Sequence, residues 1–210
     1  IGMMSRWSQG ANDPLFVIPQ IKCFVKEANA LAEETGELII VEGNHDERWA
    51  RYINGDKPYV LQDALGLTLK DQCHAQGLTE NLSWIREDTE VKGIECGLFV
   101  LRHGHNQAGR FGGGKHLAAN RISKSLGQCE VFGHHHRGQL YAQTAHGKTA
   151  IAIANPCMTG DHEYSKDPDW QRGFTILEVF GKKNEYATPY VIIMNEGKFA
   201  WNGTVYDGNK

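Results

Sequence analysis

Proline is scarce in this 210-residue chain, at 6 residues, and cysteine is scarcer still, at 5. Cys23, Cys73, Cys96, Cys129 and Cys157 are odd in number, widely spaced and never in a C-x-x-C pair. That pattern excludes the disulfide framework of a small secreted domain and fits a reducing, cytoplasmic setting. The five read as small apolar core residues, none placed as a nucleophile. A dominant charge is also lacking: 22 Lys and Arg stand against 25 Asp and Glu, a formal net charge of -3. Neither a disordered polyelectrolyte nor a protein that grips nucleic acid by bulk positive charge has that balance. No apolar run approaches the ~20 residues of a bilayer-crossing helix, and neither a signal peptide nor a lipidation motif is present, so no membrane partner is expected. Repeats, low-complexity tracts and a Pro/Ser linker are absent. One continuous domain over 1–210 is the expectation, large enough to bury roughly 70% of its unfolded surface without covalent staples.

What is present alternates between helical and strand periodicity. From Gln20 to Thr35 the apolar positions Ile21, Phe24, Val25, Ala28, Leu31 and Ala32 recur at helical spacing, and Gly36 supplies a stop. Leu38–Val41 is a short apolar run that predicts a strand buried on both faces, and 98–101 and 131–132 are similar. A helix over roughly 115–126, introduced by Gly112–Gly114, separates the last two, which suggests an α/β layer architecture. Beyond His136 the segments 139–144, 149–154, 173–180 and 188–194 predict antiparallel strands, with turns at Gly147, Gly181 and 195–197.

Each of the three apolar runs is followed at once by a polar cluster. Val41 leads into Glu42-Gly43-Asn44-His45-Asp46, Leu101 into Arg102-His103-Gly104-His105-Asn106, and Phe132 into Gly133-His134-His135-His136-Arg137. Six of the ten histidines lie in these stretches. The carboxyl ends of strands in open α/β sheets line the ligand crevice, so the clusters can converge on one site. Imidazoles with an amide oxygen make a mixed N/O donor set that suits Mn, Fe or Zn better than Mg or Ca. The absence of paired cysteines argues against a thiolate zinc site.

The succession G-N-H-D at 43–46, H-G at 103–104 and G-H-x-H at 133–136 resembles the calcineurin-like metallophosphoesterases. The stretch from Asp167 to Phe174 also looks like phage and bacterial members. The resemblance implies a four-layer α/β/β/α sandwich of mixed sheets. It implies two divalent ions, manganese first with iron or zinc as alternatives, held by Asn44, His103, His134 and His136. His45 would be the general acid beside the scissile phosphate, with Asp46 orienting it. The implied reaction is hydrolysis of a phosphate mono- or diester, nucleotide or DNA substrates included, by a metal-activated hydroxide, with an imidazole protonating the leaving alkoxide.

The chain departs from the family pattern upstream of Gly43, where D-x-H and G-D are both absent. Ile1 to Trp7 is expected to begin just after the missing G-D strand, an N-terminal truncation. A natural loss of those ligands would instead make a catalytically silent binding scaffold. A third reading is a structural zinc site built from His103, His134, His136 and Cys129. Around the motifs, His105 reads as a residue beside the ligands or in solvent, and His135 as packing against the loop. Arg102 and Arg137 read either as phosphate partners or as surface ion pairs. Residues 102–137 carry six Lys and Arg against the single Glu130, which would steer an anionic substrate or simply form a wet helix face.

Overall fold

The computed structural model describes residues 17–54, 65–86, 94–105, 116–123, 127–159, 169–181 and 186–209. The chain divides into two compact units, Ile1–Glu87 and Asp88–Lys210. Among the described residues no helix is long and apolar enough to cross a membrane.

The first unit contains α1 (Val17–Thr35), β1 (Leu38–Val41), α2 (Glu47–Asn54), α3 (Leu69–Ala75) and β2 (Leu82–Ile85). Pro19 sits in the first turn of α1, where its missing N–H has no intrahelical partner to lose. Ile21, Val25, Ala28 and Ala32 recur every three or four residues and form the buried face of α1. Gly36, at φ +75°, ends the helix by donating its N–H to the Ala32 carbonyl at 3.0 Å. α3 begins with a capping box: Asp71 N–H donates to Thr68 Oγ1 at 3.0 Å, and Thr68 N–H donates to Asp71 Oδ2 at 2.9 Å. The core joins Ile21, Val25 and Ala28 to Leu69, Cys73 and Leu78.

β1 pairs in parallel with β2, with Leu38 opposite Leu82 and Val41 opposite Ile85. The expectation that β1 is buried on both faces does not hold. Leu38, Ile40 and Val41 are half-buried, and Ile39 is exposed, at 37%. The apolar run reflects contact with α1 on one side, so a β-branched stretch of this length does not by itself imply a covered second face.

The second unit contains β3 (Ile94–Cys96), β4 (Phe99–Arg102), α4 (Leu117–Ile122), β5 (Cys129–Phe132), β6 (Gln139–Ala145) and β7 (Lys148–Ala154). It continues with β8 (Gly173–Phe180), β9 (Tyr186–Ile193), β10 (Lys198–Trp201) and β11 (Thr204–Asp207). Its main sheet runs β3-β4-β5-β7-β6, with β4, β5 and β7 parallel and β3 and β6 antiparallel at the edges. Ala150, Ala152 and Ala154 give β7 a low surface on which Leu117, Ala118 and Ile122 of α4 pack beside Phe132. His146-Gly147 and Asn202-Gly203 close the β6–β7 and β10–β11 hairpins with positive φ at both residues, the two-residue turns whose twist matches the strands. The fold is mixed α/β with several sheets. The helix expected over 115–126 is observed over Leu117–Ile122; Gly112–Gly114, Lys115 and 124–126 lie outside the described residues.

Candidate functional site

In the first unit, Asn44, His45 and Asp46 occupy the turn between β1 and α2, all half-buried. Asp46 folds back on that turn: its Oδ2 accepts from Gly43 N–H at 2.8 Å, while its own N–H donates to the Gly43 carbonyl at 2.9 Å. Just before the turn, the buried Glu42 accepts from Trp84 Nε1–H at 2.7 Å. Asp46 also borders a mainly apolar cavity of about 270 Å³ between α1, β1 and α3, which it shares with Cys73. Burial, followed by the Asp46 and Glu42 carboxylates, pushes the Cys73 thiol up to about 12. The expectation of buried cysteines holds for Cys73 alone, since Cys23 is exposed and Cys96, Cys129 and Cys157 are intermediate. None of the five is disulfide-bonded.

In the second unit, the loops after β4 and β5 lie side by side because the strands are parallel neighbours, with Arg102 opposite Phe132. Gly133 N–H donates to the Arg102 and His103 carbonyls at 3.3 and 3.1 Å, so the ladder continues past the strand ends. Gly104 is buried at φ +89°, and a Cβ there would stand 3.1 Å from the Phe132 Cβ. Glycine lets this loop approach β5 so closely without displacing Phe132, and takes the left-handed φ at little cost. The ring centroids of His103 and His134 are then 5.4 Å apart, nearly perpendicular. His105 joins them, 5.2 Å from His103 and 6.2 Å from His134.

His134 and His136 both hold positive φ, at 69° and 58°. Left-handed backbone is uncommon outside glycine, and such residues gather at functional loops. The His136 ring packs edge-on to Trp170 at 4.5 Å, and its carbonyl accepts from Gln171 N–H at 2.8 Å. His135 lies 6.3 Å from the Phe132 ring, in line with a packing role. Burial and then the neighbouring imidazoles of His103, His135, His105 and His136 lower His134 from an ordinary 6.5 to about 4. Burial, with Arg137 second, lowers His135 as well. His134 is therefore neutral at physiological pH, the form in which imidazole ligates metal.

No protein-family model and no curated relative matches the chain. Solved structures similar to it include two mutants of one protein. One is a single mutant of Vps29 from Entamoeba histolytica, 17% identical, covering 81% of this chain and 95% of that one at a TM-score of 0.35. The other is a double mutant of the same protein, 19% identical, covering 88% of this chain and 85% of that one at a TM-score of 0.36. At those TM-scores neither likeness bears on fold or activity.

The donor chemistry of His103, His105, His134 and His136 fits a divalent ion of the Mn, Fe or Zn type. Among the described residues no three His, Cys, Asp or Glu side chains already stand as a ligand group. Both flanking arginines have an acidic partner. Arg102 Nε lies 2.8 Å from the fully buried Glu130, so its ion pair is internal rather than on the surface. Arg137 pairs with Asp169, whose side chain is 68% exposed. Arg121 is also drawn to Glu130 rather than spent on a wet helix face. The signal for this was present: one acid among six basic residues is a candidate for burial between them.

Proposed function

We propose that the chain is a divalent-metal-dependent phosphoesterase of the calcineurin-like kind, built on an α/β/β/α sandwich. Its substrates are phosphate mono- or diesters, a class that includes nucleotides and nucleic-acid strands. The observation that carries this reading is the pair of imidazoles, His103 and His134, facing each other at 5.4 Å across the ends of adjacent parallel strands. That is where α/β sheets bind ligands, and imidazole is the commonest protein ligand of a metal ion.

Asn44, His103, His134 and His136 are the ligands in this reading, Asn44 entering on the 43–46 motif rather than on a distance. When bound, two divalent ions supply charge neutralisation for the phosphoryl oxygens and a nucleophile at neutral pH. His45 delivers a proton to the leaving oxygen, a role typically worth about 10²–10⁴-fold. The Gly43 N–H holds the Asp46 carboxylate within the same turn, where it can fix the His45 ring.

A screen of mono- and diesters, supplemented with Mn, Fe or Zn and including single- and double-stranded DNA, tests the proposal. Metal-dependent turnover should appear and should fall at least about 100-fold in His103→Ala and His134→Ala. Turnover unchanged in both variants overturns the assignment. No turnover with any ion points instead to a binding scaffold on the same fold.

A further inference from the structure

We infer that the outer edge of β6 is a self-association surface. A second copy of this chain adds its own β6 there, antiparallel about a two-fold axis at Ala142, and joins the two five-stranded sheets into one. The inference concerns the second unit and is independent of the phosphoesterase reading.

The β6–β7 hairpin fixes which backbone groups face outward. Its two-residue turn at His146-Gly147 makes Ala145 and Lys148 a hydrogen-bonded pair. Such pairs alternate with non-hydrogen-bonded ones along an antiparallel ladder. Gln139, Tyr141 and Gln143 therefore bond to β7, while Leu140, Ala142 and Thr144 turn their N–H and C=O groups away from it. The 2.8 Å contact between Thr144 Oγ1 and Thr149 Oγ1 fits this phase, because side chains approach closest at a non-hydrogen-bonded pair. β6 ends the sheet, and among the described residues these three make no backbone hydrogen bond on the outer side. All three are exposed, Leu140 at 48%.

Proteins guard such an edge by keeping it short or by giving it charge, proline or a bulge, and β6 has none of these. It is seven residues long, carries no charged side chain and no proline, and pairs with β7 without a break in register. β3, at the opposite edge of the same sheet, is only three residues long. Symmetry selects a second copy as the occupant. The outward residues 140, 142 and 144 are evenly disposed about Ala142, so two copies paired there set Ala142 against Ala142 and Leu140 against Thr144. That makes three hydrogen-bonded pairs of two bonds each, and every outward N–H and C=O of both strands gains a partner. Centring the pair on Tyr141 or Gln143 would leave some of those groups out. No like charges meet across the seam, and the small Ala142 at the axis adds no bulk. Seven residues a side is well short of the ~20–30 of a standard stable interface, so the dimer is expected to be weak and concentration-dependent.

Sedimentation of the full chain across a dilution series, with amide hydrogen exchange followed by NMR on the same samples, tests this. A dimer should appear as concentration rises. The amides of Leu140, Ala142 and Thr144 should then exchange at least about 10-fold more slowly, while those of Tyr141 and Gln143 stay protected throughout. Ala142→Lys and Ala142→Glu each set like charges against one another at the axis and should each be monomeric, and an equimolar mixture of the two should recover the dimer. Position 142 is exposed, so both variants should fold, and protection of the Tyr141 and Gln143 amides verifies it. A wild type that is monomeric at every concentration, a dimer indifferent to both substitutions, or a mixture that stays monomeric overturns the inference. Protection of the three outward amides that does not change on dilution also overturns it, because the edge would then belong to another segment of the same chain.

Discussion

The Nε of Arg102 lies 2.8 Å from Oε1 of Glu130, a side chain with no exposed surface. On its other side Glu130 meets Arg121, whose Nε is 2.5 Å from Oε2 and whose second nitrogen is 2.7 Å from Oε1. The carboxylate thus ties β4, β5 and α4 together directly beneath the histidine loops.

Glu130→Ala should lower the unfolding free energy by about 3–5 kcal/mol, because it strands two guanidinium groups that have little access to water. Urea denaturation measures this. Arg51→Ala, which removes an exposed pair with Glu47 at 3.4 Å, should change stability by less than about 0.5 kcal/mol. A Glu130→Ala loss below about 1 kcal/mol would show that the triad contributes little.

Gly104→Ala combines a left-handed backbone with a 3.1 Å approach to Phe132, and about 1–3 kcal/mol of destabilisation is expected. Gly147→Ala has a similar φ of +75° with nothing within 4 Å, and should cost only about 1 kcal/mol. Equal costs in parallel denaturant melts would remove crowding against Phe132 as the reason for the glycine.

Much of the local structure could be read from the letters. The 3.6-residue period of Ile21, Val25, Ala28 and Ala32 marks α1, and Gly147, Gly181 and Gly197 mark turns where φ is indeed positive. The strands at 139–144, 149–154, 173–180 and 188–194 agree with the observed ones to within two residues. What escaped has a physical reason. α2 and α3 are short, at 8 and 7 residues, too brief for a period to emerge, and α3 depends on the Thr68–Asp71 box. β2 is a strand because β1 lies beside it, a pairing across more than forty residues. The partners of Glu130 escaped for the same reason, since Arg102 comes beside it only through the parallel β4–β5 pairing.

Acid should destabilise the protein through His134. The unfolded chain takes up this proton near 6.5 and the folded one only near 4, so between those values the unfolded state binds more protons. Stability should fall as pH drops from 6.5 toward 4 and be insensitive to this group above. His134→Gln should flatten that part of the curve in denaturant melts taken across the range. An identical pH dependence in the two proteins would rule the group out.

Thiol labelling should separate the cysteines. Cys73 is 1% exposed and has its thiol pushed up to about 12, so the reactive thiolate is suppressed at neutral pH. Cys23 is exposed on α1. Iodoacetamide at pH 7.5 followed by peptide mass spectrometry should modify Cys23 rapidly and Cys73 only upon unfolding. Comparable native rates would mean that the first unit opens readily.

Left-handed dihedrals at His134 and His136 restrict what can replace them. β-Branched and bulky residues are penalised there before any question of chemistry arises, and the side chains that tolerate such torsions best are glycine, asparagine, aspartate and histidine. Three of those four can donate to a cation. Sequence drift in this loop is therefore channelled: a variant that keeps the turn without resorting to glycine tends to keep a coordinating atom as well, so the capacity to hold an ion can outlast selection for any particular reaction.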